Sequence, residues 1–300
     1  MKCDVVWYSL VGDALSLGPH WIYDQGEIGA KLGRIGGYHA PLSGYHPGKQ
    51  AGDFTHYGDQ TMLLLRSVAG CGAFDLNDFA SRWRAFWDDP AAPSYRDAAT
   101  RATLGNLQGG RPVNAAGSPS SDMGGASRIA PLFLLDWGDP AELFAAARAQ
   151  TSFTHADPAV GAAAEFFARV AHAVGQGSPI PAALAAAATQ PTAGDAPRWL
   201  AAALATSKSP MSDRAALSQH GLTCDVGDAF PAVCHLLLRF PDDPASALCE
   251  NAMAGGDSAA RGLLLGLVFG SVPQPAPIPG SWVATLAARD EIISLANSIA

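Results

Sequence analysis

Residues 251–266 read Asn-Ala-Met-Ala-Gly-Gly-Asp-Ser-Ala-Ala-Arg-Gly-Leu-Leu-Leu-Gly, and this segment carries the strongest structural signal in the chain. The Gly-Gly pair permits a sharp turn and leaves Asp257 at the N-terminus of an apolar helix. Small side chains on that helix allow another helix to approach it closely: Ala259, Ala260, Gly262 and Gly266. Asp257 is therefore expected either to cap this helix or to lie in a polar site at its start.

Helical periodicity recurs along the rest of the chain, whereas no alternating strand pattern exceeds four residues. Asp-Pro pairs at 139–140, 157–158 and 243–244 place an N-cap residue before a proline, as helix starts commonly do. The sequence predicts an all-α fold, one domain over residues 1–300, with about a dozen helices around a central cleft. The predicted helices are 4–17, 59–71, 76–88, 94–108, 125–136, 140–151, 157–175, 180–189, 196–206, 212–219, 227–240, 243–254, 258–271 and 281–298.

Composition excludes several classes of protein. Of the 300 residues, 48% are hydrophobic and 15% are charged, which excludes a disordered chain. The formal charge is −8 and no run of Lys or Arg occurs, so neither nucleic acid nor an anionic membrane is an expected partner. The sequence predicts no signal peptide. Five cysteines without close spacing indicate reduced thiols, so we expect a cytoplasmic protein.

Residues 11–24 combine an apolar helix with polar and aromatic groups. Asp13 lies inside the helical pattern, and a Gly-Pro break is followed by His20, Trp21, Tyr23 and Asp24. Aromatic walls with a few polar groups are typical of a ligand pocket. A helix cap and an aromatic plug are the structural alternative.

Residues 52–64 contain Asp53, His56 and Asp59, all possible metal ligands. Asp59 begins the predicted helix 59–71, and helix N-termini attract anionic groups. A simple N-cap, at Asp59 or Thr55, is the alternative.

Two more segments complete the set. Residues 118–132 form a loop of small residues before an apolar helix, and Gly124 there lets the backbone approach a ligand closely. His155 precedes an Asp-Pro helix start and is either a site residue or a hydrogen-bonded structural histidine.

These five segments, in this order, resemble the ADP-ribosylglycohydrolase / J1-crystallin family from Gly12 to about Gly270. The family's Gly-Asp-Ala-Leu is similar to residues 12–15, and its Thr-Asp-Asp-Thr signature to residues 58–61. The family's Met-Arg-x-x-Pro segment resembles residues 122–131, and its Thr-His helix entry resembles residues 154–155. Its Gly-Gly-Asp-Thr-Asp-Thr signature resembles residues 255–260. The resemblance implies the family's all-α fold.

The resemblance also implies two divalent ions held between the two signatures, with Asp59 and Asp257 as the retained ligands. Other ligand positions are occupied by Gly58, Gln60, Ala259 and Ala260, and His20 stands where the family has a Glu. Hard divalent ions need about six oxygen ligands. We therefore expect at most one weakly held Mg²⁺.

The resulting hypothesis is a hydrolase of an N- or O-glycosidic bond on an ADP-ribosyl or related ribosyl substrate, either a small molecule or an ADP-ribosylated one. Asp59 and Asp257 are the candidate catalytic pair, facing each other across the cleft. His20 and His155 are candidate proton donors or substrate-orienting groups, because the pKa of histidine lies near neutrality. The remaining candidate substrate contacts are Trp21, Asp24, Tyr57, Gln60, Asp122, Gly124, Gly256, Ser258 and Arg261.

Arg261 lies four residues after Asp257, a spacing that predicts one helix face. It is expected either to pair with Asp257 in the cleft or to form a surface ion pair. The rival function is a catalytically weak or inactive binding or structural protein of the crystallin type on the same fold. An unrelated α-helical enzyme is a third hypothesis.

Overall fold

The computed structural model describes residues 3–299, and within that range it contains helices, turns and two isolated β-bridges but no strand. Short 3₁₀ segments cover Val113–Ala115 and Ala130–Leu134. The α-helices are α1 (Asp4–Leu17), α2 (Gln25–Leu32), α3 (His56–Cys71), α4 (Leu76–Asp88), α5 (Ala98–Gln108), α6 (Gly124–Ser127), α7 (Pro140–Ser152), α8 (Pro158–Gly175), α9 (Ile180–Ala188), α10 (Ala196–Ser207), α11 (Asp213–His220), α12 (Val226–Arg239), α13 (Pro244–Ala254), α14 (Ser258–Gly270), α15 (Gly280–Ala284) and α16 (Arg289–Ser298).

Helices α1 and α14 form the centre of the fold, and every residue of α14 is buried. A Cβ atom added to Gly262 would lie 2.4 Å from the carbonyl oxygen of Gly12, and one added to Gly266 would lie 2.0 Å from that of Tyr8. The two backbones are therefore in direct contact, which only glycine permits. The close approach predicted from the small residues of this helix is confirmed.

Most predicted helix starts are correct, since Asp139 and Asp157 accept hydrogen bonds from the first turns of α7 and α8. Helix α2 was not predicted, although Asp24 caps it by accepting from the amides of Gly26 and Glu27. The prediction for 281–298 is wrong at its centre, because the structure has two helices there, α15 and α16.

Three further boundaries differ. Helix α5 begins at Ala98 rather than at 94, because Asp97 caps it. The predicted helix 125–136 consists of the short α6 and a 3₁₀ segment that contains Pro131.

Helix α3 begins at His56 rather than at residue 59, because Thr55 is its N-cap. The buried carboxylate of Asp13 in α1 accepts hydrogen bonds from the Thr55 amide (2.8 Å), the Thr55 hydroxyl (2.6 Å) and the Gly58 amide (3.1 Å). This anchor places His56 and Tyr57 in the first turn of α3.

Backbone hydrogen bonds between loops bring the start of α14 against two other segments. Gly256 donates to Ile22 O and accepts from the Trp21 amide, both at 2.8 Å. The Asp257 amide donates to Leu222 O at 2.8 Å. The candidate site therefore lies where loops meet the N-termini of α3 and α14. Among residues 3–299, no helix is both long and apolar enough to cross a membrane.

Candidate functional site

The hydroxyl of Tyr57 lies between two buried carboxylates and is the centre of the site. Its oxygen is 2.9 Å from Asp122 Oδ2 and 3.0 Å from Asp257 Oδ2. The sequence separates Asp122 from Asp257 by the whole of α7–α13, yet one hydroxyl bridges them. Asp257 is 1% exposed and Asp122 is 9% exposed.

Burial sets the protonation of this group. Burial, reinforced by Asp257, raises the pKa of Asp122, and burial raises the pKa of Asp257. Burial and the two carboxyl groups also raise the pKa of Tyr57, which stays protonated. Tyr57 has one proton to donate, so two ionised carboxylates would leave one of its contacts unbonded. The arrangement is satisfied when the pair shares a proton.

The remaining hydrogen bonds indicate where that proton lies. Asp122 Oδ1 accepts from the Gly124 amide at 2.7 Å, which leaves Oδ2 free to donate to Tyr57. Asp257 Oδ2 accepts from Trp21 Nε1 at 3.0 Å and from Tyr57. Two donors on Asp257 favour its ionised form, and Asp122 is then the protonated partner.

Glycines hold the bridge in place. A Cβ atom at Gly124 would lie 2.0 Å from Tyr57 Cε1, so only glycine fits beside the ring. Gly256 has a φ of +61°, and a Cβ atom there would lie 2.3 Å from Leu222 O. Both glycines therefore permit close contacts within the protein beside the Asp122–Asp257 pair, and their predicted contacts with substrate stay predictions.

Asp59 lies in a different environment from Asp257. Both of its oxygens are 2.9 Å from Lys49 Nζ. It lines a surface cavity of about 320 Å³ together with Lys49, Arg66 and Glu291. The start of α3 at His56 explains this, because Tyr57 occupies the turn that faces Asp257 and Asp59 points elsewhere. The expected pairing of Asp59 with Asp257 is replaced by that of Asp122 with Asp257.

Arg261 is fully buried but does not pair with Asp257. Its Nε donates to Asn251 Oδ1 at 2.9 Å and its Nη2 to the carbonyl oxygen of Gly255 at 2.5 Å. The guanidinium reaches back over the helix start and holds the turn that precedes Asp257. Ser258, the first residue of α14, accepts through its carbonyl from Asn251 Nδ2 at 2.8 Å.

Two other predicted contacts serve the scaffold. Asp24 is exposed and caps α2. Gln60 is buried, where its side-chain oxygen accepts from Trp83 Nε1 at 2.8 Å and Arg128 Nη1 at 3.2 Å. The structure does not place either residue at the Asp122–Asp257 pair.

His155 is buried beside the loop that carries Asp122. Its Nδ1 lies 2.8 Å from Thr154 Oγ1, which also accepts a hydrogen bond from Arg128. The Thr154 proton is then donated to Nδ1, and Nε2 carries the ring proton. Burial lowers the pKa of His155 to about 3, so the ring is neutral. His155 is thus hydrogen-bonded through Nδ1, whereas its Nε2 has no hydrogen-bond partner, and its predicted role at the substrate stays a prediction.

His20 is fully buried beneath Trp21, with which its ring stacks at a centroid distance of 4.5 Å. His46 and His56 lie beside it, and one nitrogen of each of the three rings lies within 4.8 Å of the others. Sequence reasoning did not select His46, which sits in a loop without periodicity.

Two further residues of the site carried no clear sequence signal. Asp97 lies 3.3 Å from His56 Nε2, and only its position before a helix could have drawn attention to it. Cys224 lies next to Asp122, and burial together with that carboxyl group raises the pKa of its thiol.

Comparisons with known proteins agree with this architecture. A sequence model described as ADP-ribosylglycohydrolase matches residues 4–300. The chain belongs to this family. Among solved structures, an "ADP-ribosylglycohydrolase-related protein complex" superposes with a TM-score of 0.72 over 99% of this chain and 97% of that one, at 20% identity. At that identity the likeness shows the fold alone. No curated protein matches the sequence.

A two-ion magnesium centre does not fit the site of this ADP-ribosylglycohydrolase family member. Ala259 and Ala260 in the first turn of α14 offer no side-chain oxygen. The phenol of Tyr57 in α3 faces Asp257, and its hydroxyl is hydrogen-bonded to Asp257 Oδ2 and to Asp122 Oδ2. Mg²⁺ prefers octahedral oxygen ligands, mostly anionic. The available set is two carboxyl groups that share a proton.

Proposed function

We propose that this protein hydrolyses an N- or O-glycosidic bond of an ADP-ribosyl or related ribosyl substrate, with Asp122 and Asp257 as the acid–base pair. Family membership supports glycohydrolase chemistry in general. The observation that carries the proposal is the Tyr57 hydroxyl between two buried carboxyl groups. Glycosidic cleavage needs one carboxyl group as proton donor and another as base or nucleophile.

The hydrogen bonds assign the two roles. Asp122 is the protonated and more exposed member, so it is placed to protonate the leaving-group oxygen or nitrogen. Asp257, held ionised by Trp21 and Tyr57, activates water or stabilises the positive charge that develops on the ribosyl ring. Tyr57 couples the two carboxyl groups, because its hydroxyl contacts both. When Asp122 gives up its proton, this hydroxyl can donate its hydrogen bond to the new Asp122 carboxylate.

Aromatic side chains supply a wall for the substrate. Tyr23 is 52% exposed and lies close enough for Asp257 to raise its pKa, after the larger effect of burial. Trp21 donates to Asp257 and is itself partly exposed. A base or ribose that stacks on these rings would be held beside the carboxyl pair.

We further propose that the site holds at most one Mg²⁺, and weakly, because the two carboxyl groups joined by Tyr57, Asp122 and Asp257, supply few anionic oxygens for a hard ion. Asp257 Oδ1 has no hydrogen-bond partner and is the atom available to such an ion. The acid–base roles above do not depend on it. The five cysteines are all unpaired, which supports a cytoplasmic protein.

The test is hydrolysis of ADP-ribosylated substrates by the purified chain and by three variants. Asp122→Asn and Asp257→Asn should each lower kcat/KM by about 100-fold or more, since each removes an acid–base group. Asp59→Asn is the control, because Asp59 pairs with Lys49 away from the bridge. Normal turnover by Asp257→Asn, or loss of turnover only in Asp59→Asn, would refute the proposed pair.

A binding or structural role is the second candidate, favoured by the alanines at 259 and 260. Thermal shift with ADP-ribose separates the two, because a ligand that binds the native state raises its apparent stability. Stabilisation by ADP-ribose without turnover of any ribosyl substrate would favour the binding role.

A further inference from the structure

The clustering of His20, His46 and His56 is not explained by the carboxyl pair or by the fold. His20 follows α1, His46 lies in the loop between α2 and α3, and His56 is the first residue of α3. These three segments bring one nitrogen of each ring within 4.8 Å of the others. All three side chains are buried, at 0%, 2% and 0% exposure.

Five of the six ring nitrogens of this histidine triad have no polar partner in the protein, and the sixth, His56 Nε2, lies 3.3 Å from Asp97 Oδ2. These five are among the fourteen buried side-chain nitrogen and oxygen atoms that form no hydrogen bond among the described residues. Each unpartnered buried polar group costs about 1–3 kcal/mol, and native proteins contain few of them. Five at one point therefore require a partner that the protein itself does not supply.

The rings are arranged around a common point rather than stacked. Their centroids are 5.5 Å apart for His20 and His46, 5.7 Å for His46 and His56, and 6.1 Å for His20 and His56. The angles between ring planes are 62°, 35° and 50° in the same order. Ligand nitrogens at a tetrahedral ion lie about 3.4 Å apart, so small ring rotations would close the set.

Trp21 is forced to cover the triad. Its ring centroid lies 4.5 Å from that of His20, 5.4 Å from His46 and 5.3 Å from His56. Its φ is +63°, the only positive value among the described residues other than glycine. Such a conformation costs about 1–3 kcal/mol and persists only where surrounding contacts impose it, commonly at functional sites.

The surroundings supply an outer carboxylate and negative charge. Asp97 Oδ2 lies 3.3 Å from His56 Nε2, the position from which carboxylates orient metal-bound histidines. A proton on Nε2 directed at Asp97 leaves the lone pair of His56 on Nδ1. Asp122 and Asp257 also act electrostatically on His56, so a cation here would be balanced by nearby carboxyl groups.

We propose that His20, His46 and His56 bind one first-row divalent transition-metal ion, of which Zn²⁺ is the representative. Three imidazoles suit Zn²⁺, Co²⁺, Ni²⁺ or Cu²⁺, whereas Mg²⁺ selects oxygen. No fourth protein ligand is apparent among the described residues, so a water molecule completes the coordination, as in three-histidine zinc sites. The three histidine ligands do not include either carboxyl group of the pair, and metal binding by them does not depend on the proposed hydrolase activity.

The test is a titration of the chelator-treated full chain with Zn²⁺ and with Co²⁺. We expect one equivalent of Zn²⁺ to bind by calorimetry with a micromolar or lower Kd, and bound Co²⁺ to give the visible absorption of a four-coordinate nitrogen site. His20→Gln and His46→Gln should each weaken Zn²⁺ binding by at least about 100-fold. Asp97→Asn, a positioning change, should weaken it about 10- to 100-fold.

The matched control is His235→Gln, a buried histidine of α12 whose Nε2 lies 3.1 Å from Asp213. This variant should bind Zn²⁺ as the unmodified chain does. The proposal is overturned if the unmodified chain shows no saturable binding near one equivalent, or if His46→Gln binds Zn²⁺ normally. Where a variant fails to fold, X-ray absorption of the Co²⁺-loaded chain decides, since a spectrum without imidazole scattering also overturns the site.

Discussion

Replacing Tyr57 by phenylalanine tests the bridged carboxyl pair directly, because it removes one hydroxyl and leaves the ring. The ring packs against Gly124 and His56, so its shape must be kept. Without the hydroxyl, Asp122 keeps the hydrogen bond from the Gly124 amide and Asp257 keeps that from Trp21 Nε1. Each carboxyl group therefore loses one of two partners.

The stability loss is calculable from this geometry. Each lost buried hydrogen bond that leaves its partner partly satisfied costs about 1–2 kcal/mol of unfolding free energy, so the two bonds together cost about 2–4 kcal/mol. For a chain of this length the unfolding entropy is roughly 0.6 kcal/mol per degree, so Tm should fall by about 3–6 °C. Tyr8→Phe is the matched control, because Tyr8 is also buried and its hydroxyl donates to Ala276 O at 2.8 Å rather than to either carboxyl group.

The functional loss should be much larger for Tyr57→Phe than for the control. We expect kcat/KM on a ribosyl substrate to fall about 100-fold, since a preorganised donor to the reacting groups is removed. The hydrogen bond from Tyr57 lowers the pKa of Asp257, so its loss should move the acidic limb of the pH–rate profile to higher pH. Equal activity and equal pH profiles for the two phenylalanine variants would refute the bridge as catalytic machinery.

Three further predictions concern the scaffold. Gly262→Ala should lower the free energy of unfolding in denaturant by at least about 3 kcal/mol, because the new Cβ atom would overlap Gly12 O. The control, Gly105→Ala on an open helix face, should be neutral or stabilising. Glu165→Gln should cost about 1–2 kcal/mol at pH 7. Burial raises the pKa of Glu165, but a threonine hydroxyl and two arginines outweigh burial and lower the pKa. The stabilisation from the ionised carboxylate is therefore present above pH 4.5 and should vanish as the pH falls through the lowered pKa. Melting temperatures measured over a range of pH would show this loss. Arg261→Lys should lower Tm through loss of its forked hydrogen bonds while the folded fraction still binds ligand, and loss of binding at unchanged Tm would instead place Arg261 in the cleft.

Local chemistry predicted the helices and their central contact. Asp-Pro starts have a cap whose hydrogen bonds lie within one turn, so residues 139–140 and 157–158 could be interpreted without tertiary information. The glycines at 262 and 266 recur every four residues, which places them on one face of α14, and α1 packs there. Signals confined to one helix were sufficient in these cases.

The partners of Asp257 could not be predicted, because long-range hydrogen bonds select them. The resemblance aligned the first signature with residues 58–61 and so selected Asp59. Asp13 instead binds Thr55 and starts α3 at His56, which turns Tyr57 toward Asp257 and Asp59 toward Lys49. Tyr57 and Asp59 are two residues apart, which is about 200° around the helix axis, so an alignment that selects Asp59 selects nearly the opposite face of α3.

The residue types in the first turn of α3 also determine which kind of metal ion that turn can bind. A family-type turn with carboxylate and hydroxyl oxygens suits hard ions such as Mg²⁺. Here that turn presents the imidazole of His56 and the phenol of Tyr57, and the loop after α1 adds the imidazole of His20 where the family resemblance places a Glu. Imidazole nitrogen favours borderline ions such as Zn²⁺. The chain thus has imidazole nitrogens where the family resemblance implies oxygen ligands, and the proposed histidine site lies beneath Trp21, next to a carboxyl pair that we propose transfers protons without a metal ion.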